Sequence, residues 1–173
     1  MKNHDIVPTL VEQCMQDGEY IVSTTDPTGR ITSANEVLLR FSGYRADELI
    51  GQQHNILRHP DMPRAVFALA WETIAEGEAF LGYIKNLSKN GSFYWVFAHI
   101  FPLFDEEGRL TGYKSIRRKP RADALPGVAA LYAAMCQTEA EAGPRDAIAA
   151  GRAVLSRVLA GKGQGYEAFV AAL

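Results

Sequence analysis

Cysteine is nearly absent: Cys14 and Cys136 are the only two among 173 residues, far apart and with no CxxC spacing. A disulfide framework does not fit that usage, and a reducing cytoplasm is the expected compartment. Long apolar runs are missing too. No stretch approaches the roughly 20 apolar residues that span a bilayer, and Met1-Lys2-Asn3-His4-Asp5 leads into no apolar core of secretory type. Charge of one sign is also lacking. Eighteen Lys and Arg face 20 Asp and Glu, a net charge of −2, so no electrostatic reason exists to bind nucleic acid or an anionic membrane. There is no Ser-His-Asp order, no Walker loop and no GxGxxG, so no enzyme class is indicated. His54, His59 and Asp61 sit across a Pro-broken loop at a spacing that is not a standard metal pattern, so no metal is expected. What is present, 47% hydrophobic and 22% charged residues, describes one globular domain with an extension.

Three textures divide the chain. In residues 1–19, Val7, Leu10, Val11 and Cys14 fall at helical spacing, which predicts a short N-terminal cap helix. Residues 20–120 mix short alternating runs with Gly, Asn and Asp punctuation. Residues 121–173 are rich in alanine and predict helices near 127–138, 144–161 and 165–172, separated at Gly143-Pro144 and across Gly161–Gly165.

The middle region yields an element order. Tyr20–Thr25 is β-branched and aromatic, and Asp26-Pro27-Thr28-Gly29 turns it into a return strand at Arg30–Ser33. Asn35 suits the cap of a helix over 36–42 that Gly43 ends, and Ala46–Ile50 gives one further turn. The segment from Gly51 to Pro63 is polar, Pro-broken and dense in His and Arg. Asp61 and Pro63 suit the start of a helix carrying Val66, Phe67, Ala70, Trp71 and Ile74 at helical spacing. Three strands follow: Phe80–Leu87, Ser92–Phe104 after Lys89-Asn90-Gly91, and Leu110–Arg118. The fold class is α+β, a five-stranded antiparallel sheet with short helices on one face.

That order, with Asp26-Pro27-Thr28-Gly29-Arg30-Ile31, Ala34-Asn35, Phe41-Ser42-Gly43-Tyr44, Glu48-Leu49-Ile50-Gly51, Lys89-Asn90-Gly91-Ser92-Phe93-Tyr94-Trp95 and Gly112-Tyr113, resembles a PAS domain over residues 20–120. His54-Asn55-Ile56-Leu57-Arg58-His59-Pro60-Asp61-Met62-Pro63 is similar to the central segment of aerotaxis-receptor PAS domains, and Trp71 and Lys85-Asn86 fit the same pattern. The resemblance implies a non-covalent FAD whose redox state is reported as a measure of oxygen and energy status. It also implies a homodimer and a downstream signalling domain or protein. The receptor family continues into a membrane segment and a signalling coiled coil that this sequence does not show. The expectation is therefore a sensor fragment, or a free-standing sensor that hands its signal to a partner through residues 121–173.

A flavin site needs an apolar slot, donors for ring carbonyls, and cationic or amide groups near ribityl and pyrophosphate. Trp71 would stack on a ring of the cofactor, or be a plain core tryptophan. Asn86 offers a donor and an acceptor to a flavin edge, or makes a sheet hydrogen bond. Arg58 would fork onto a phosphate or carbonyl, or pair with Asp61 or Glu72. His54 would donate to either group. His59 either touches the ligand or shapes the loop, and Asn35 either touches it or only caps the helix. Along Phe93–Ala98 alternate side chains face opposite sides of the sheet, and the sequence leaves open which set meets the ligand. Two alternatives stand beside FAD: a haem sensor ligated by His54 or His59, and a cofactor-free interaction module. A light-oxygen-voltage photoreceptor needs a thiol where this sequence reads His54–His59, and none is there.

Overall fold

The computed structural model describes residues 6–173. Five strands form one antiparallel sheet: β1 (Tyr20–Thr25), β2 (Ile31–Ala34), β3 (Phe80–Leu87), β4 (Phe93–Phe104) and β5 (Leu110–Arg118). Their order is β2-β1-β5-β4-β3. The links between β2 and β3 lie on one face: α1 (Glu36–Ser42), α2 (Ala46–Leu49), a 3₁₀ turn (His54–Leu57) and α3 (Arg64–Ala75). The α+β class read from the hairpin signals is the observed one.

Local chemistry sets the boundaries. Asp26 closes the first hairpin by accepting from the Thr28 and Arg30 amides and the Thr28 hydroxyl. Asn35 caps α1, accepting from Leu38 N at 3.0 Å and Val22 N at 3.1 Å while donating to Tyr20 O at 2.8 Å. Gly43, at φ 71°, ends that helix in the left-handed conformation that only glycine adopts without strain. The core gathers between sheet and helices, where Ile21, Ile31, Leu38, Leu49, Leu57, Val66, Phe80 and Val96 are buried. Alternation settles the facing of β4: Tyr94, Val96 and Ala98 point into that core, and Phe93, Trp95 and Phe97 lie on the opposite face.

The lead-in departs from its pattern. Residues 1–5 of the expected cap helix lie outside the described residues. Residues 6–19 contain no helix and run extended along the turn before β4. Thr9 N donates to Gly91 O, Phe93 N to Val11 O and Gln13 N to Phe93 O, at 2.7–2.9 Å. The Gln13 amide ties the strip to Phe41 O, Ser88 Oγ and Ser92 Oγ. Backbone pairing with the hairpin wins over a helical stripe here, because Val7, Leu10 and Val11 find no apolar face and stay exposed.

Beyond β5, α4 (Leu125–Lys162) breaks at Gly143, where φ 78° and ψ 171° leave the helix and Pro144 restarts it. α5 (Tyr166–Ala172) follows. These elements cover the open edge of β3. Tyr132 donates its hydroxyl to Tyr83 O at 2.8 Å, and Tyr166 stacks on Phe80. The loop before α3 closes the rest: His59 N donates to Lys85 O, and Lys85 N to Met62 Sδ. A paired or covered edge cannot recruit another strand.

The start of α3 differs from expectation. Asp61 does not cap it but pairs with Lys85 at 2.6 Å. The cap is Glu139, 75 residues away on α4. Its buried carboxylate accepts from Arg64 N at 2.8 Å and Ala65 N at 2.9 Å. Arg152 of α4 also pairs with Glu72 of α3. The C-terminal helices therefore grip α3 at its N-terminus and along its side.

Candidate functional site

α3 and the inner sheet face enclose a cavity of about 70 Å³. Its walls are mixed by design of the strands. β1 and β5 alternate so that Ser23 and Thr25, and Tyr113, Ser115 and Arg117, point inward where hydrophobic residues would ordinarily fill the core. β3 adds Ile84 and Asn86, and the 3₁₀ turn and its exit add His54 and Arg58. α3 supplies the apolar wall of Phe67, Ala70, Trp71 and Ile74.

Polar atoms on the sheet side go unmatched. Thr25 Oγ1, Asn86 Nδ2, Ser115 Oγ, and Arg117 Nε and Nη1 are buried without a hydrogen-bond partner among the described residues. Native interiors pair nearly all such atoms, because each unpaired one costs about 1–3 kcal/mol. Arg117 is the extreme case. It is 1% exposed, and its remaining nitrogen, Nη2, donates to Ser23 Oγ. Among the described residues no carboxylate pairs with it. Burial pushes its pKa down to about 10, opposed by Tyr94, so the side chain remains a cation at neutral pH. This arc of donors fits a guest with carbonyl, imide or anionic edges.

The expected site residues divide. His54, Arg58, Trp71 and Asn86 converge on the cavity. Asn35 and His59 are not among its lining residues. Asn35 acts as the α1 cap. His59 is buried in the loop, where its Nδ1 accepts from Asp61 N at 3.1 Å and its ring meets Phe93 edge-on. Arg58 donates to Met62 O at 2.6 Å and lays its guanidinium over Phe67, 4.8 Å from the ring centre. Trp71, 40% exposed, stands at the mouth edge-on to Tyr113 at 5.6 Å. Gly29 gives the ring its place, since a Cβ there would lie 2.8 Å from Trp71 Cη2. An outer cleft lined by Pro27, Thr28, Gln53 and Asn55 shares His54, Phe67 and Trp71 with the cavity, so the two adjoin.

Arg117, Ser115, Ser23, Thr25 and Tyr113 were not picked out from the sequence. The available signal was a strand placing Ser and Arg on its inward parity in Tyr113-Lys114-Ser115-Ile116-Arg117. Neither cysteine reaches the cavity: Cys14 is exposed in the lead-in, and Cys136 contacts Asp61 O at 3.3 Å. No cluster of metal-ligating side chains occurs among the described residues.

Both imidazoles, His59 buried and His54 half-buried, are held neutral. Burial, then Arg117, pushes His54 down to about 3; its Nε2 lies 3.4 Å from Ser23 Oγ. Burial, then Lys85, pushes His59 down to about 4, against a smaller upward pull from Asp61. Unfolded imidazoles titrate near 6.5. Below that pH the unfolded chain binds protons that the folded chain refuses, so stability is full above pH 6.5 and is lost as pH falls toward 4 and 3. Urea midpoints should therefore fall between pH 6.5 and about 5.5, above the range in which most carboxylates titrate. His54→Gln should flatten that decline, and a wild-type midpoint constant over this window would contradict the assignment.

Residues 31–117 match the family described as PAS fold. The chain is 42% identical over 135 residues to the aerotaxis receptor of Escherichia coli strain K12, covering 78% of this chain and 26% of the receptor. It is 37% identical over 86 residues to a biofilm dispersion protein of Pseudomonas aeruginosa, covering 49% and 21%. It is 29% identical over 110 residues to a nitrogen fixation regulatory protein of Klebsiella pneumoniae, covering 64% and 21%. The chain thus spans between a fifth and about a quarter of these relatives' lengths. Among solved structures, a light-oxygen-voltage domain aligns with a TM-score of 0.56 at 24% identity, covering 63% of this chain and 82% of that one. A PAS domain from Colwellia psychrerythraea aligns with a TM-score of 0.50 at 26% identity, covering 58% and 86%.

Proposed function

On the premise that this chain belongs to the PAS fold family and carries an aerotaxis-type PAS domain, we propose that its cavity holds FAD and that the domain reports redox, oxygen or energy status to a signalling partner or a further output segment. The observation that carries this reading is the arc of unpartnered buried polar atoms around Arg117, Ser115, Asn86 and Thr25. FAD, when bound, supplies a ring that takes up electrons and protons. The residues present fit such a ring by type: donors on the strands, an apolar wall on α3, and an adjoining outer cleft suited to the rest of a dinucleotide.

Size adds a mechanical consequence. Ligand sites usually measure about 300–1,000 Å³, several times this cavity. Admitting a fused ring therefore moves Trp71 and α3 outward from the sheet. α3 is tied to α4 through Glu139 and through the Glu72–Arg152 pair. Occupancy, or a change in ring charge that re-pairs Asn86 and Arg117, would thus reach residues 121–173, which act as the output connector of a sensor spanning 20–120. Exposed Val7, Leu10 and Val11 offer the surface for a homodimer. This reading puts the sensor in a reducing cytoplasm, which suits its two free cysteines. Haem fits less well, since His54 faces Ser23 and His59 is absent from the cavity wall.

The test is an absorbance spectrum of the chain refolded or expressed with FAD and then dialysed. Retained bands near about 375 and 450 nm, the approximate positions for oxidised flavin, are the expected result. A folded protein that retains no flavin would overturn the FAD reading and leave a cofactor-free module.

A further inference from the structure

Residues 144–173 grip both walls of the cavity from outside. In the second stretch of α4, Ala147, Gly151 and Leu155 are buried at i, i+4 spacing. This face meets α3 at Gly151, where a Cβ would lie 2.8 Å from Ala65 Cβ, and Arg152 beside it pairs with Glu72 at 2.5 Å. At the other end Tyr166 of α5 stacks on Phe80 of β3, and a Cβ at Gly82 would lie 2.8 Å from the Tyr166 hydroxyl. Phe169 and Val170 are buried behind it. α3 supplies Phe67, Ala70, Trp71 and Ile74 to the cavity, and β3 supplies Ile84 and Asn86. One segment therefore ties the helical wall to the sheet wall.

The tie has a hinge. Gly143, at φ 78° and ψ 171°, occupies a region of backbone space that is essentially open to glycine alone. Among the described residues nothing crowds the position a Cβ would take there, so the bend belongs to the backbone and is not imposed by packing. Gly161, Gly163 and Gly165, between α4 and α5, are equally uncrowded. Glu139 precedes the hinge, so the start of α3 stays capped when the segment beyond Gly143 swings. α3 can then pivot about Arg64 and Ala65, carrying Trp71 and Ile74 off the sheet.

Resting on the flavin reading above, we propose that residues 144–173 form an autoinhibitory strap, hinged at Gly143, that holds α3 against β3 and keeps the cavity too small for its guest. Buckled, the cavity measures about 70 Å³, against about 300–1,000 Å³ for ligand sites in general. Strap closure and ring entry oppose each other, and by linkage each weakens the other by the same factor. A partner that draws the strap away raises the affinity for the guest, and a guest that lifts α3 frees the strap.

The experiment compares FAD affinity, by fluorescence quenching, for the full chain and for Tyr166→Ala and Leu155→Ala, neither of which lines the cavity. Each variant should bind FAD about 5- to 150-fold more tightly, the usual span of a coupling between sites. General damage to the fold lowers affinity, so a gain separates a strap from simple destabilisation. In the wild-type chain, saturating FAD should speed tryptic cleavage after Arg145, an exposed residue just past the hinge. Unchanged or reduced affinity in both variants, with FAD bound by the wild type, overturns the strap and leaves the flavin reading standing. Cleavage at Arg145 that ignores bound FAD overturns it as well. Binding by the variants alone supports both readings, and binding by none of the three chains overturns both.

Discussion

Glu139→Ala is expected to lower the unfolding free energy by about 2–4 kcal/mol and to release α4 from α3. The carboxylate is buried and accepts two amide hydrogens at the first turn of α3. Hydrogen bonds to a charged group contribute about 1.5–3 kcal/mol each, and an anion at a helix N-terminus adds up to about 2 kcal/mol. These contributions overlap, which sets the range. Pro63 precedes the helix and offers no capping side chain, so nothing local replaces Glu139. Gly151 deepens the dependence, because the second stretch of α4 passes so close that a Cβ there would lie 2.3 Å from Glu139 Oε1. Glu139→Gln keeps one good acceptor and should fall between wild type and alanine. Urea unfolding reads the stability, and limited proteolysis at Gly143 reads the release. A change below about 0.5 kcal/mol, the usual size for an unimportant surface site, would show that α4 does not hold α3.

Trp71→Ala is expected to weaken FAD binding by about 5- to 150-fold while leaving stability nearly unchanged. Stacking of an aromatic side chain on a base or fused ring contributes about 1–3 kcal/mol, and each 1.4 kcal/mol is a factor of ten. Trp71 stands at the junction of cavity and outer cleft and is 40% exposed, so its removal leaves no sealed void. Fluorescence quenching of added FAD gives the affinity, and a urea midpoint gives the control. Unchanged affinity would make Trp71 a lid over Gly29 and Tyr113 with no part in holding the ligand.

The strands, hairpins and helical breaks were legible because each has local chemistry. Asn35, Gly43, Lys89-Asn90-Gly91 and Gly143-Pro144 act within a few residues of the elements they bound. His54, Arg58, Trp71 and Asn86 were legible through a family pattern and do converge on the cavity. The misses are non-local. Glu139 caps a helix 75 residues distant, and no window of sequence links it to Arg64. Arg117 reads as one more basic residue near Arg118 and Lys119, and only strand parity turns it inward. The lead-in failed for a related reason: Val7, Leu10 and Val11 have helical spacing, but the partner that decides their conformation is the backbone at Gly91–Phe93.

The central claim is that a change in the guest of the β-lined cavity is felt at the C-terminal helices. Amide hydrogen exchange on the FAD-loaded chain, oxidised against anaerobically reduced, tests it most directly. The predicted result is altered protection at Ser115–Arg117 and in β3, continuing through Arg64–Ala75 into the α4 segment around Glu139. Protection that is identical in both states across α3 and α4, with flavin demonstrably bound, would contradict it.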